Sequence, residues 1–421
     1  MYGLIGKNIS HSFSKKIHNN FGNSNYELFN IDNLKNFINN NYLSGFNVTM
    51  PYKTDIIPLI DKLDNIAKST NSVNTVIKKK HKLYGYNTDY YGFSELIKFN
   101  NIEIKNKKVL ILGNGSVAKT VSYYLNNNKV KTYTKLARKI KTNNDDLFDN
   151  YNLYNDYDII INTTPVGMYP NNNDALLIDI ESFNNLEVVI DLVYNPLKTK
   201  LLLKAESQNI KSVNGLLMLI MQAKKAHELF FKQNLSIDLC KETYIKLLND
   251  LYNIVLIGLP LSGKSKYAKL LSKSMDKLLY DTDNEIEKYT EVKIPEYFEN
   301  NSENSFRKLE TEIIKNIYKS NNNVISTGGG IVINKLNIDL LKQNGIIIFL
   351  SKDPKIIAKK EIIGRPLIKK PNDILKLAKE RLPLYINYSN IIVDINKDTE
   401  YHIKELKEKI NEYINNQWPK Y

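Results

Sequence analysis

The chain has 421 residues, 42% of them hydrophobic and 10% aromatic, with a formal net charge of +14 and a single cysteine, Cys240. That length exceeds one ordinary core and points to two or three domains, while a lone cysteine excludes a disulfide framework and suits a reducing cytoplasm. The lysines are dispersed among asparagine, isoleucine and tyrosine rather than gathered in a stripe, which argues for a solvated surface and an anionic small-molecule substrate, and against nucleic acid.

The longest apolar runs, such as "GIIIFL" and "NIVLIGL", have the length of strands, and no apolar run follows an N-terminal basic stretch. Neither a membrane span nor a secretory signal is expected. In chain order, strand-like runs "MYGLIG", "YELFNI", "SGFNVTM" and "SVNTVIKK" alternate with helical segments over residues 1–100,. From Lys107 the pattern becomes strand, glycine turn, helix, strand, and buried-type strands follow at "YDIIINTT", "LEVVIDLVY" and "NIKSV", as in a Rossmann unit. A long amphipathic helix is predicted from about Gly215 to Phe231, and the polar, partly helical stretch Lys232 to Tyr252 reads as a connector. A new strand, "NIVLIG", then opens a second layer with strands at "KLLYD", "NVISTG", "GIIIFL" and "NIIVDI",. The expected division is 1–100, 101–235, a connector 236–252, and 253–421, all of α/β class.

Gly113-Asn114-Gly115-Ser116-Val117-Ala118 directly follows the strand "KKVLIL" and opens a helix. Gly113 permits the turn, Gly115 lets a pyrophosphate reach bare backbone, and Ala118 allows close helix packing. About twenty residues further on, a NAD site would place an acid for the ribose hydroxyls. The segment "KVKTYTKLARK" carries none. Arg138, helped by Lys139, is placed to take a 2′-phosphate, so NADP(H) is expected over NAD.

The blocks "SHSFSKKIHN", "GFNVTMPYK", "NSVNTV", "GYNTDYYGF", "NTTPVGMYP", "DLVYNPLKT" and "NGLLMLIMQA" flank that turn. Over residues 1 to 235 the sequence resembles shikimate dehydrogenase. The resemblance implies that Ser12 and Ser14 bind a substrate carboxylate, and that Thr49, Asn74, Tyr194 and Gln222 hold the hydroxyls and ring. It implies Lys53 and Asp89 as the catalytic pair, with Leu192 and Gly215 lining the nicotinamide. Singly, each has a plainer account: Ser12 as a helix N-cap, Lys53 and Asp89 as surface charges. Lys15, Asn71 and Ala137 depart from the usual proline, glycine and asparagine of the family.

The second glycine motif, "GLPLSGKS", has the G-x4-G-K-S spacing of a triphosphate cradle between a strand and a helix,. Backbone N–H groups from Leu261 through Ser262 and Gly263 to Lys266 would cup the β-phosphate. Lys264 would reach the β and γ oxygens, and Ser265 would ligate Mg2+. Downstream, "LLYDTDNEIE" places Asp281 and Asp283 at a strand end on one face, "SFRKLE" places Arg307 and Glu310 on one helical face, and "STGGGIV", "GRPLI" and "ERLPLY" follow. This set resembles shikimate kinase over about Asn253 to Lys409. The resemblance implies that Asp283 orients the attacking hydroxyl and that Arg307 and Arg381 clamp the carboxylate. It further implies that Gly328, Gly329 and Gly330 lie along the substrate, that Asp281 supports Mg2+ through water, and that Arg365 comes from a mobile lid toward the transferring phosphoryl group of ATP. Ser302 stands where the family has glycine, and a lid arginine is absent from "AKKEIIGRPL", where Lys359 or Lys360 could substitute.

Together the resemblances imply an α/β substrate domain, a Rossmann NADP domain and a P-loop kinase domain. They imply successive use of 3-dehydroshikimate and shikimate as small-molecule substrates; a monomer and a homodimer both stay open, and the lone cysteine suits a cytoplasmic protein,. The rivals are a catabolic quinate-type dehydrogenase, a kinase acting on another small acceptor such as gluconate, and a half without activity. The last would predict loss of Lys53, Asp89, Lys264 or Asp283, and all four are present.

Overall fold

A computed structural model of the chain describes residues 1–10, 12–40, 42–361, 368, 370–396 and 398–419. They fall into two compact units, one of Met1–Asn195, Thr199–Lys246 and the residues from Trp418, the other of Pro196–Lys198 and Leu247–Gln417. No helix among the described residues is long and apolar enough to cross a membrane.

The first unit contains two six-stranded sheets. One is built from β1 (Tyr2–Gly6), β2 (Tyr26–Asn30), β3 (Gly45–Val48), β4 (Lys62–Leu63), β5 (Thr75–Lys79) and β6 (Lys82–Tyr86), in the order β2-β1-β3-β5-β6-β4. It is mixed: β1 pairs in parallel with β2 and β3, whereas β5 runs antiparallel to β3 and β6. One face packs Ile5, Phe46, Val48 and Val76, and the other Leu4, Tyr26, Ile77 and Phe230 of helix Leu216–Phe231. The other sheet holds β7 (Lys108–Leu112), β8 (Thr132–Ala137), β9 (Asp145–Leu147), β10 (Ile159–Asn162), β11 (Val188–Asp191) and β12 (Lys211–Asn214). Its order β12-β11-β10-β7-β8-β9 is all parallel, with the reversal of winding at β7/β10, where Rossmann ligands sit beyond the strand ends. Nearly every residue of β7, β10 and β11 is buried. Covered on both faces, such strands read as unbroken apolar runs rather than alternating ones.

In the second unit, β13 (Asn253–Ile257), β14 (Leu278–Asp281), β15 (Asn323–Ser326), β16 (Gly345–Ser351) and β17 (Ile391–Asp394) form a parallel sheet in the order β14-β15-β13-β16-β17. The central strand β13 is wholly buried and delivers its C-terminal end to the G-x4-G-K-S loop.

The stretch read as a polar, partly helical connector holds the helix Ile237–Leu251, with Cys240, Tyr244, Leu247, Leu248 and Leu251 buried. Its lysines and acids masked an apolar stripe spaced at helical intervals. Asp281 and Asp283 do not share a strand face. The strand ends at Asp281, which caps helix Thr282–Thr290 by accepting from the N–H groups of Asp283 and Asn284, and Asp283 lies in that helix's first turn.

Candidate active sites

In the first unit, Lys53 follows β3, and Asp89 opens the helix Asp89–Phe99, where the helix dipole favours a carboxylate,. The Lys53 ammonium donates to Asp89 Oδ2 at 2.6 Å, and the two residues are 8% and 6% exposed, so this is a buried ion pair rather than two surface charges. Asn74 Nδ2 donates to Asp89 Oδ1 at 2.8 Å and to Thr88 Oγ1 at 3.0 Å, while its Oδ1 accepts from the Thr88 N–H at 2.7 Å. Gln222, on helix Leu216–Phe231, brings Oε1 to 3.4 Å from both Asn74 Nδ2 and Thr88 Oγ1. Lys53, Asn74, Asp89 and Gln222 thus form one hydrogen-bonded group although they are spread over 170 positions of sequence. Thr88 belongs to it as well, and its mark in the sequence is the "NTD" triplet, a polar run at a strand-to-helix junction.

Ser12 Oγ donates to Ser14 Oγ at 3.1 Å. The N-cap of helix Ser14–Asn20 is Phe13, not Ser12. The Phe13 ring lies 5.7 Å from that of Tyr194; burial pushes the Tyr194 hydroxyl up to about 12. Thr49 opens the turn toward Lys53, its carbonyl accepting from the Tyr52 N–H at 3.0 Å.

At the end of β7, Gly113 adopts φ +103°, and a Cβ on Gly115 would meet open space, so a pyrophosphate can approach that backbone and the first turn of helix Ser116–Asn127,. Ala118, in the first turn of that helix, is fully buried, with Val117 packed against the same core. Ser116 Oγ is 3.3 Å from Thr54 Oγ1, which ties the glycine turn to the loop carrying Lys53. Arg138 and Lys139 are exposed immediately beyond β8. Asn114 Nδ2 donates to the Lys139 carbonyl at 2.8 Å and to Asp145 Oδ2 at 2.7 Å. Leu192 and Gly215 touch: a Cβ on Gly215 would lie 2.1 Å from the Leu192 carbonyl oxygen, so glycine is required there by packing, whatever binds nearby.

In the second unit, the loop after β13 holds Leu261 in the left-handed region at φ +62°, a conformation that costs a non-glycine residue energy and tends to persist at functional sites. Lys264 is 7% exposed, with Nζ 2.9 Å from the Gly258 and Leu259 carbonyls. Ser262 Oγ is buried with no hydrogen-bond partner among the described residues, a donor suited to a phosphate oxygen. Ser265 Oγ donates to Asp281 Oδ2 at 2.7 Å and lies 3.3 Å from Ser326 Oγ. This is a hard-oxygen group of the kind that holds Mg2+ together with water and phosphate. Lys266 Nζ turns away to Thr399, and Lys360 Nζ donates to the Leu261 carbonyl at 2.8 Å.

Beside this loop lies a cleft lined by Asp283, Arg307, Glu310, Gly329 and Arg381, among others. Arg307 donates to Glu310 Oε2 and to Glu303 Oε1, each at 2.9 Å. Its guanidinium rests on bare backbone, since a Cβ on Gly330 would fall 2.2 Å from it. Arg381 and Tyr385 both donate to the Gly329 carbonyl, at 3.0 and 2.5 Å, and the Gly328 N–H donates to Thr282 Oγ1. The Nε atoms of Arg307 and Arg381 are buried without a partner among the described residues, which suits a bound anion,. Glu310, which no sequence argument assigned a role, is 1% exposed. Burial raises its carboxyl while Arg307 pulls it back. Arg365 lies outside the described residues.

Fold and sites together define two enzymes in one chain: a two-domain Rossmann dehydrogenase and a P-loop phosphotransferase. The family model of the shikimate dehydrogenase substrate binding domain matches residues 4–76, and that of shikimate kinase matches residues 260–414. The shikimate dehydrogenase (NADP(+)) of Clostridium beijerinckii is 40% identical over 246 residues, covering 54% of this chain and 91% of that protein. Among solved structures, shikimate dehydrogenase 1 of Peptoclostridium difficile matches with TM-score 0.54 and 32% identity over 58% of this chain and 97% of that one. A chorismate mutase/shikimate 5-dehydrogenase fusion protein from Clostridium acetobutylicum matches with TM-score 0.54 and 30% identity over 58% of this chain and 96% of its own. The chain belongs to the shikimate dehydrogenase family and carries a shikimate kinase domain in the same polypeptide.

Proposed function

We propose that the chain catalyses two successive steps: NADPH-dependent reduction of 3-dehydroshikimate to shikimate in residues 1–235, and ATP- and Mg2+-dependent phosphorylation of the shikimate 3-hydroxyl in residues 253–421. The observation that carries the reading is the coexistence of a buried Lys53–Asp89 pair and an arginine-lined cleft beside a G-K-S loop. One suits a ketone and the other a carboxylate-bearing acceptor. NADPH, when bound, supplies the hydride. Lys53, held by Asp89, polarises the ketone oxygen and handles its proton. Ser12 and Ser14 receive the carboxylate; Asn74, Gln222, Thr49 and Tyr194 orient the ring.

In the kinase half, Arg307 and Arg381 clamp the carboxylate and Asp283 orients the attacking hydroxyl. Lys264 neutralises phosphate charge, and Ser265 with Asp281 holds Mg2+. The buried, lone Cys240 suits a reducing compartment,, and we place the protein in the cytoplasm. The test supplies 3-dehydroshikimate, NADPH, ATP and Mg2+ and looks for shikimate 3-phosphate, omitting one cofactor at a time. Folded protein that converts neither 3-dehydroshikimate nor shikimate overturns the reading.

A further inference from the structure

An acid does stand beside the glycine turn, reached through space rather than by the spacing at which a ribose-binding acid is sought. Asp145 begins β9, in register with Lys135 of β8. Its side chain is fully buried, and both oxygens are saturated. Oδ1 accepts from Lys135 Nζ at 2.8 Å and Thr142 Oγ1 at 2.5 Å; Oδ2 accepts from Asn114 Nδ2 at 2.7 Å and the Lys141 N–H at 2.9 Å. Four donors occupy the acceptor capacity of a carboxylate, so nothing is left for a ribose diol. Burial pushes this carboxyl up, but the Lys135, Thr142, Asn114 and Lys141 donors outweigh it and hold it well below the usual range.

What these bonds do is fasten a loop. Residues 138–144 are all exposed and carry Arg138, Lys139 and Lys141. The loop is tied at one end by the Lys135 N–H to the Asn144 carbonyl at 2.8 Å and by the Asp145 N–H to the Thr142 carbonyl at 3.0 Å. It is tied in the middle by Asn114, which bridges the Lys139 carbonyl and Asp145. Asn114 is the central residue of the glycine turn itself. The loop that bears the basic side chains is therefore bolted to the element that would receive the pyrophosphate.

We infer that Asp145, acting through Asn114 and the Lys141 N–H, is a positioning residue for dinucleotide selectivity: it presets the Arg138–Lys141 loop against the glycine turn so that its basic groups meet a 2′-phosphorylated adenosine. The inference rests on the assignment of a 2′-phosphorylated cofactor to this half. Preorganisation lowers the ordering cost at binding, and here it acts only on a ligand that reaches the loop. Loosening the clamp therefore weakens 2′-phosphate binding selectively.

The test is calorimetric titration of the full chain with 2′,5′-ADP and with 5′-AMP, which differ only by the 2′-phosphate. Wild type binds 2′,5′-ADP more tightly. In Asp145→Asn, the amide nitrogen faces donors and the loop is released; the preference for 2′,5′-ADP over 5′-AMP falls about tenfold. Asn114→Ala, which leaves the Lys135–Asp145 pair intact, lowers the same ratio and decides the matter if Asp145→Asn does not fold. A ratio unchanged in the folded variants, including equal weakening of both nucleotides, overturns the inference. A wild type without preference overturns both the inference and the assignment of a 2′-phosphorylated cofactor beneath it, and is distinguishable from the former outcome.

Discussion

Asp89→Asn separates a buried catalytic pair from an incidental one. Asp89 accepts from Lys53 at one oxygen and from Asn74 at the other, at 2.6 and 2.8 Å. An asparagine of the same shape offers a single acceptor, so its amide nitrogen must face either the ammonium or the Asn74 amide, donor against donor. The ammonium is also left buried without its counter-charge, and breaking a buried pair in this way costs about 3–5 kcal/mol. At roughly 2–4 °C per kcal/mol for a unit of this size, melting of the first unit drops by roughly 10 °C. With the proton-handling group mispositioned, kcat for reduction falls about 10²–10⁴-fold, while phosphorylation of supplied shikimate is unchanged. Lys53→Met combined with Asp89→Leu removes both charges. It restores much of the stability, because apolar replacement of a buried pair is often near neutral, but restores no reduction. The assays are calorimetric melting of wild type, Asp89→Asn and the double variant, and NADPH oxidation at 340 nm. If the double variant is as unstable as Asp89→Asn, or if Asp89→Asn keeps both its melting temperature and its turnover, the pair is not coupled as the geometry requires and the reasoning fails.

Lys264→Ala removes the ammonium that bridges the Gly258 and Leu259 carbonyls at 2.9 Å; phosphorylation falls below detection in a coupled ADP-release assay and reduction persists, whereas loss of both in folded protein would contradict two separate sites. Gly215→Ala drives a methyl to 2.1 Å from the Leu192 carbonyl oxygen, so the first unit is destabilised by at least about 2 kcal/mol and reduction is lost; a variant with wild-type melting would show the contact to be slack. Burial pushes the Asp191 carboxyl from 3.8 up to about 6, against hydrogen bonds from Thr199, Val193 and Asn162. The folded protein then binds more protons than the unfolded chain between pH 3.8 and about 6, so this residue's contribution, about 3 kcal/mol, is present below that window and lost as pH rises through it. Hydrogen exchange of residues 108–214 from pH 4 to 7, compared with Asp191→Asn, reads the difference, and an identical pH profile in the two proteins would refute the shift.

The parts of this molecule that were legible in sequence are those where a short segment carries its own physics. Apolar runs such as "KVLIL" and "NIVLI" announce strands buried on both faces, and the two glycine turns announce themselves because a strand, a bare backbone and a helix start must be consecutive to receive phosphate. The illegible parts are those where distant segments finish one another's chemistry. Thr88 carries no local mark of its role beyond the "NTD" triplet because its partners, Asn74 and Gln222, are 14 and 134 positions away. Glu310 reads locally as one more helical acid until the cleft removes its water. A period-two pattern puts Asp283 on a strand face only by running through a cap, and the cap, Asp281, is itself one of the two residues in the pattern. Asp145 is the sharpest instance. A search at a fixed distance from the glycine turn finds no acid after β8, and that absence is read as selectivity for a 2′-phosphate. The acid is nonetheless within 2.7 Å of the turn, with every lone pair committed. Selectivity in such a site follows from which acceptors remain free as much as from which charges are present, and only the bonding pattern distinguishes the two.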